Sequence, residues 1–359
     1  MKPLLLLALA LIAAPAPAAD IDAIFAPLTD AESPGLAVLV RQGGRTIFEK
    51  GYGTGIHATT NFRLASFTKQ FTAMAVMLLV YDGKLSYDQR LTDILPGFPA
   101  YAKSVTVRNL LTHTSGLPDY EDLMKPDTWT PQHQIQDGEV AVLLQQQTAG
   151  KFAPGTSWAY SNSGYVVLGL IVAKVSGQPF SQFLRRRIFQ PLRMNHTVLY
   201  VKGMNTVPHR AYGHTKDGRH FLATDQSATS ATQGDGGIYS NLEDLAKWDA
   251  ALDSHALLSE AEMRPALTPV TLNDGSAPRW PPDPNEDNLH PGQPVQYGFG
   301  WFLDPYDGRP RMWHTGSTMG FRTVIERFPA GKLTIIVLCN RTDLNPEKLA
   351  LQVADKLKQ

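Results

Sequence analysis

The chain has 359 residues, of which 43% are hydrophobic and 18% charged, and its formal net charge is zero. This composition is typical of a globular protein with a sizeable core, and the length predicts one large domain or two intertwined ones. No long run of one charge occurs, so nothing in the chain favours binding to nucleic acid.

The first residues have the pattern of a signal peptide. Lys2 supplies a positive start, residues 4–14 are apolar, and Ala16-Pro17-Ala18 offers a cleavage site of small residues. We therefore predict a signal peptide over residues 1–18 and an exported chain, periplasmic or secreted. The apolar run is shorter than the roughly 20 residues that span a bilayer, so we expect no transmembrane anchor in the mature chain.

The hydrophobic pattern predicts strands near both ends of the chain and helices in the middle. In chain order, the predicted elements are a helix over 21–28, hairpin strands over 36–40 and 46–52 around Gly43-Gly44, a helix from Ser66 to Asp82-Gly83, helices over 107–111, 140–147, 164–175, 180–189 and 242–252 (the last capped by Asn241 or Ser240), strands over 297–303, 321–328 and 333–339, and a helix from Pro346 to 357. One sheet could form from the two ends, with a sheet part over about 19–80 and 230–359 and a helical part over about 81–229. Residues 265–296 contain eight prolines and predict a long loop, a kind of segment that often lines a functional cleft.

The segment Ser66-Phe67-Thr68-Lys69 lies where an apolar helical stripe begins. Residues three apart share a helix face, so this spacing brings an amine within hydrogen-bond reach of a hydroxyl. A serine hydroxyl becomes a good nucleophile when a neighbouring base takes its proton. Because one such spacing is expected by chance in a chain of about this length, the alternative is that Ser66 only caps the helix and Lys69 is solvated.

Two further polar triads follow downstream, and the first is Tyr160-Ser161-Asn162. Tyr160 could act as a base or proton shuttle if a cation such as Lys69 lowers its pKa, and the amide of Asn162 could orient Lys69 and a substrate amide. The alternative for Tyr160 is a packed ring with a satisfied hydroxyl.

In the second triad, His314-Thr315-Gly316, the histidine could bind a carboxylate or relay a proton, or be merely structural. Gly316 permits close approach of a ligand to the backbone, and the N–H of Ser317 could serve an oxyanion hole.

Other kinds of active site are disfavoured by the sequence. His209, His214 and His220 have no carboxylate or cysteine to complete a ligand set, and H-E-x-x-H is absent, so we expect no metal. No G-x-S-x-G elbow occurs, which counts against an α/β-hydrolase. The single cysteine, Cys339, excludes an intrachain disulfide and is predicted to be a buried strand thiol.

At these motifs the chain resembles the penicillin-recognising serine enzymes, which include class C β-lactamases, D-alanyl-D-alanine carboxypeptidases and related esterases. The resemblance covers almost the whole mature chain. Its motifs are Ser66-x-x-Lys69, Tyr160-x-Asn162 and His314-Thr315-Gly316, with family-like stretches at Leu110-Leu111-Thr112-His113-Thr114-Ser115-Gly116-Leu117 and Gly236-Gly237-Ile238-Tyr239-Ser240. It implies an α+β fold in which residues 19–359 form a single catalytic domain, a five-stranded antiparallel sheet flanked by helices with an inserted helical subdomain.

The resemblance also implies roles for the motif residues. Ser66 would be the nucleophile, Lys69 and Tyr160 would share the base role, and Asn162 would bind substrate. The N–H groups of Ser66 and Ser317 would form the oxyanion hole. Class C β-lactamases carry lysine where His314 stands, so the resemblance implies D,D-peptidase or esterase activity in preference to strong β-lactamase activity. Thr315 would then carry more of the binding of a substrate carboxylate.

The sequence thus favours an exported serine hydrolase that cleaves an ester or amide through an acyl-enzyme on Ser66, without a cofactor. Its expected partner is a small-molecule or peptide substrate, with cell-wall fragments among the candidates. The alternatives are a penicillin-binding or sensing module that acylates without turnover, a weak β-lactamase, and a structural or polymer-binding envelope protein.

Overall fold

The two ends of the chain form one sheet in the computed structural model, which describes residues 18–125, 127–282 and 290–358. The strands are β1 (Leu36–Gln42), β2 (Arg45–Tyr52), β3 (Phe62–Arg63), β4 (Val198–Leu199), β5 (His214–Asp217), β6 (His220–Ala223), β7 (Ile238–Ser240), β8 (Met312–Thr318), β9 (Phe321–Phe328) and β10 (Leu333–Cys339). The main sheet has the order β2-β1-β10-β9-β8, and every neighbouring pair in it is antiparallel. A strand from residues 36–42 therefore lies beside the last strand of the chain.

The helices cover both faces of this sheet and fill the middle of the chain. They are α1 (Ala18–Phe25), α2 (Lys69–Tyr81), α3 (Leu91–Ile94), α4 (Val107–Leu111), α5 (Tyr120–Leu123), α6 (Asp137–Gln145), α7 (Asn162–Ser176), α8 (Phe180–Leu184, continued by a π-helical turn Arg185–Phe189), α9 (Leu242–Asp253), α10 (Glu260–Met263) and α11 (Pro346–Lys356). The predicted α+β class with a five-stranded antiparallel sheet is confirmed.

Alternation along β1 explains why the strand is apolar from Leu36 to Val40. Leu36, Val38 and Val40 belong to a core formed with α1 and α11, whereas Ala37 and Leu39 belong to the larger core on the helical side. Successive side chains of a strand point to opposite faces, so a strand that is covered on both faces needs apolar residues at every position.

One predicted strand is wrong. Residues 297–303 form a tight turn, in which Gly298 N donates to Trp301 O at 2.8 Å, and Phe302 forms isolated bridges with Tyr297 and with Trp313. A Cβ atom on Gly298 would lie 1.9 Å from the carbonyl oxygen of Ala266, so this segment is pressed against a neighbouring loop instead of extending as a strand. The triad at residues 314–316, predicted to lie between strands, lies within β8.

The predicted helices, one helix cap and the position of the cysteine are confirmed. Each predicted helix begins and ends within about three residues of its predicted position, whereas α3, α5 and α10 were not predicted. The Asn241 side chain caps α9 by accepting from Asp244 N at 2.9 Å. Cys339 is buried at the end of β10. The predicted signal peptide lies outside the described residues except for Ala18, and the domain boundaries stay a prediction. None of the helices within the described ranges combines the length and hydropathy that a membrane span requires.

Candidate active site

Ser66 lies in a strained turn that leads into α2. The 3₁₀ turn Ala65–Thr68 precedes the helix, so the helix begins at Lys69 and not at Ser66 as predicted. Ala65 has a φ of +50°, which a residue with a side chain rarely adopts. Strained backbone next to a reactive group is common in active sites, because the surrounding structure holds the group in one orientation.

Lys69 is fully buried and contacts the hydroxyl of Ser66. Its Nζ lies 3.0 Å from Ser66 Oγ, 2.8 Å from Asn162 Oδ1 and 3.1 Å from Asp235 O. As a cation Lys69 donates to the hydroxyl, and as a neutral amine it can accept the hydroxyl proton over the same 3.0 Å. The predicted contact between amine and hydroxyl is therefore present, and the alternative of a solvated Lys69 is wrong.

Tyr160 and Asn162 come from the segment that leads into α7. The ring centroid of Tyr160 lies 4.8 Å from Lys69 Nζ. Asn162 is the first residue of α7, and its backbone N–H donates to Asp119 Oδ2 at 2.8 Å. The side chain of Ser161 caps the helix by accepting from Gly164 N. The first two motifs therefore meet at one place, although they are about 90 residues apart in sequence.

Gly316 brings β8 against the segment that precedes Ser66. A Cβ atom at this position would lie 2.1 Å from Leu64 O and 2.3 Å from Thr323 Oγ1. The close approach is thus by the chain's own backbone, whereas the sequence prediction assigned it to a ligand. Thr323 Oγ1 also donates to Leu64 O at 2.8 Å. Because β8 lies against Leu64 and its partner strand β9 is bonded to the same carbonyl, Ser317 lines one cleft with Ser66.

His314 is buried and uncharged. Its Nδ1 lies 2.6 Å from the carbonyl oxygen of Thr315 and its Nε2 lies 3.1 Å from the hydroxyl of Tyr297. Because a carbonyl only accepts, Nδ1 carries the proton and Nε2 accepts from the tyrosine. Burial, assisted by the charge of Lys69, lowers the pKa of His314 to about 3. A neutral ring with both nitrogens engaged offers no cation for a substrate carboxylate.

We expect His314 to make the protein less stable as the pH falls. The unfolded ring binds a proton below about pH 6.5, but the folded ring stays neutral until the pH nears 3. The unfolded state therefore binds more protons in this window, and stability falls by up to about 1.4 kcal/mol per pH unit. Urea unfolding of the wild type and His314→Gln between pH 4 and 8 measures it. The two free-energy curves should diverge below pH 6.5, and parallel curves would contradict the burial argument.

All but one of the predicted site residues line a single cleft of about 580 Å³: Ser66, Tyr160, Asn162, His314, Thr315, Gly316 and Ser317. Lys69 lies beneath them and has no exposed surface. One wall is aromatic, formed by Trp280, Phe302 and Trp313, with Phe302 stacked between the two tryptophans. Trp280 belongs to the proline-rich loop, and its backbone N–H donates to Gln293 O at 2.9 Å. The described part of that loop therefore contributes to the cleft.

Sequence reasoning missed one residue next to these groups. His113 appeared only within a family-like stretch, yet its ring packs against Tyr160 with centroids 4.4 Å apart and is 1% exposed. Its φ of +60° and its contact with a segment about 45 residues away are tertiary features. The one local signal was a histidine directly before a Thr-Ser-Gly turn.

Comparisons with known proteins identify the family to which the chain belongs. A sequence profile of the family described as Beta-lactamase matches residues 21–358. Penicillin-binding protein 4* of Bacillus subtilis (strain 168) is 32% identical over 341 residues, which cover 89% of this chain and 71% of that protein. These findings define the class as the penicillin-recognising serine hydrolases. Within that class, the chain belongs to the beta-lactamase family.

Solved structures extend the same likeness to the fold. The penicillin binding protein of Bacillus halodurans is 28% identical with a TM-score of 0.73, and the match covers 89% of this chain and 95% of that chain. The D-amino acid amidase of Ochrobactrum anthropi SV3 is 24% identical with a TM-score of 0.73, covering 94% of this chain and 97% of that chain. The second likeness concerns the fold alone.

Proposed function

We propose that the protein is an exported serine hydrolase that cleaves an ester or amide through an acyl-enzyme on Ser66. The observation that carries this proposal is the 3.0 Å contact between Ser66 Oγ and the buried Nζ of Lys69. A buried amine beside a hydroxyl on a strained turn supplies what a weak nucleophile needs, namely a base in reach and a fixed orientation.

In the proposed reaction, Ser66 Oγ attacks the substrate carbonyl while Lys69 and Tyr160 take the hydroxyl proton. The bond to the leaving group then breaks, and the same pair returns that proton to the leaving nitrogen or oxygen. Water attacks the acyl-enzyme next and gives its proton to the pair, which reprotonates Ser66. The products are a carboxylic acid and an amine or alcohol. Each proton transfer of this kind contributes roughly 10²–10⁴-fold in rate.

The backbone N–H groups of Ser66 and Ser317 are the proposed oxyanion hole. Support comes from Gly316, whose missing side chain lets β8 lie against the Ser66 turn. Two fixed donors next to the nucleophile stabilise the charge that develops on the carbonyl oxygen, and loss of one such donor typically costs about 3–4 kcal/mol. Asn162 would orient the substrate amide, and Thr315 would hold a carboxylate by hydrogen bonding.

Esters and amides that lack a carboxylate beside the scissile bond fit the site better than β-lactams in this proposal. A β-lactam carries a carboxylate close to the reactive ring, and the buried, neutral His314 gives it no opposite charge. The wall of Trp280, Phe302 and Trp313 favours an apolar or aromatic substrate group, since such rings bury large apolar surface.

A second candidate is a penicillin-binding module that is acylated on Ser66 without turnover. The 32% identity to Penicillin-binding protein 4* favours it, because that relative is named for binding penicillin. The two candidates share the acylation step and differ only in whether water releases the acyl group.

A hydrolysis panel tests the proposal. The purified protein is offered nitrocefin, a D-Ala-D-Ala peptide, a D-amino-acid amide and short-chain nitrophenyl esters, with Ser66→Ala as the blank. Turnover of the peptide, amide or ester that is lost in the blank supports the hydrolase. A persistent adduct with a fluorescent penicillin, without turnover of any substrate, supports the binding module instead. Neither turnover nor adduct removes both candidates.

Export to the periplasm or medium is the remaining part of the proposal. It is supported by the charged start, apolar run and small-residue site within residues 1–18. The mass of the protein recovered from the periplasmic fraction tests it, because a cut at this site leaves a chain that starts at Ala19 or Asp20. An uncut chain found in the cytoplasm would contradict export.

A further inference from the structure

His113 binds the backbone on both sides of Tyr160. Its carbonyl oxygen accepts from Ala159 N at 3.1 Å, and its side-chain Nδ1 accepts from Ser161 N at 3.1 Å. One residue thus binds the backbone N–H groups of the residues immediately before and after Tyr160. The ring of His113 also packs on the ring of Tyr160, with 4.4 Å between centroids and 36° between planes.

The neighbouring Asn162 has different anchors. Its backbone N–H donates to Asp119 Oδ2 at 2.8 Å, and its side-chain oxygen accepts from Lys69 Nζ at 2.8 Å. Asn162 is also fixed as the first residue of α7. Loss of the His113 contacts would therefore displace Tyr160 while the substrate-binding amide stays in place.

His113 itself is held at some cost in stability. Its backbone is left-handed, with a φ of +60°, and its ring is 1% exposed. Nδ1 accepts a hydrogen bond, so Nε2 carries the proton, and this buried N–H has no hydrogen-bond partner among the described residues. The His113 ring packs against other rings, and its centroid lies 5.2 Å from that of Tyr165 and 4.6 Å from that of Tyr297. An unpaired buried donor lowers stability, and an apolar side chain here would avoid that loss.

We infer that His113 is a positioning residue that holds the phenol of Tyr160 in register with Lys69 and Ser66. The inference rests on the proposed function, in which Tyr160 shares the base role. It assigns to His113 no contact with substrate. A displacement of about 1 Å in a catalytic group can lower the rate about 10²-fold, so the effect falls on kcat, while KM follows the separately anchored Asn162.

The test compares His113→Gly with His113→Asn. Both replacements accept a positive φ and both remove the ring, but only asparagine keeps a side-chain acceptor for Ser161 N. The expected result is that kcat falls about 10²-fold in the glycine variant with KM changed by less than about threefold, and that asparagine restores kcat to within about tenfold of the wild type. The pH profile of kcat should shift in the glycine variant and return with asparagine. Equal kcat values in the two variants would overturn the inference.

Two further measurements separate misplacement of Tyr160 from general destabilisation and from failure of the proposed function. Thr112→Val removes the adjacent bonds of the Thr112 hydroxyl to Arg108 O and to the Thr114 hydroxyl, and it should lower the melting temperature without changing kcat. Should the glycine variant not fold, His113→Ala replaces it, because alanine also lacks the acceptor and Ala65 shows that this chain holds alanine at a positive φ. Crystal structures of the variants decide the point even if the wild type hydrolyses nothing in the panel. Tyr160 should move relative to Asn162 when the acceptor is lost, and an unmoved ring would overturn the inference.

Discussion

Ser66→Ala and Lys69→Met are each expected to lower kcat/KM by about 10⁴-fold or more, and the double variant should be little worse than either single one. When two residues act together in one step of a reaction, the removal of either one abolishes the contribution of both to the rate of that step. The 3.0 Å contact between the two side chains makes them such a unit, because the Ser66 hydroxyl attacks only when Lys69 can help to take its proton. A multiplicative loss in the double variant would contradict a shared step.

Folding is the necessary control for Lys69→Met. Methionine fills a similar volume, but the removal of Nζ leaves Asn162 Oδ1 and Asp235 O without this donor. The loss of donors costs about 1–3 kcal/mol, and relief from burying a charge offsets part of it. Near-UV circular dichroism and urea unfolding should therefore show a folded protein. An inactive variant with native spectra attributes the loss to chemistry.

The sequence was sufficient for features that depend on neighbours along the chain. The periodic apolar positions of α2 and α7, the cap at Asn241 and the spacing of Ser66 and Lys69 are all local, and they appear where they were predicted. The meeting of three distant motifs followed from a resemblance to a family and not from spacing. Local physics alone allows two polar triads to lie anywhere on the surface.

The sequence was insufficient wherever a contact between distant segments decides the backbone. Residues 297–303 have the apolar character of a strand, but Gly298 and Gly300 place them against Ala266 and the backbone of Lys69. A Cβ atom on Gly300 would lie 2.8 Å from Lys69 O, so the glycine allows this segment to pack against the backbone of Lys69. The left-handed backbone of His113 and its two bonds beside Tyr160 were hidden for the same reason.

The largest predicted loss of stability lies away from the cleft, at Asp249 in α9. This carboxylate is 1% exposed and accepts from Arg41 Nη1 at 2.5 Å, Arg327 Nε at 2.7 Å and Thr334 Oγ1 at 2.7 Å. The three donors lie in one row across the sheet, since Arg41 pairs with Thr334 between β1 and β10, and Thr334 pairs with Arg327 between β10 and β9. One carboxylate thus joins a helix to three strands from opposite ends of the chain.

Asp249→Ala is therefore expected to cost about 3–5 kcal/mol of unfolding free energy, because it leaves two buried guanidinium groups without this carboxylate. Asp253→Ala is the matched control. Asp253 also pairs with Arg327, but its side chain is 35% exposed, and exposed pairs contribute about 0–1 kcal/mol. Urea unfolding of both variants measures the difference, while kcat of the folded fraction should stay unchanged in each. Equal losses in the two variants would mean that burial does not set the value of this network.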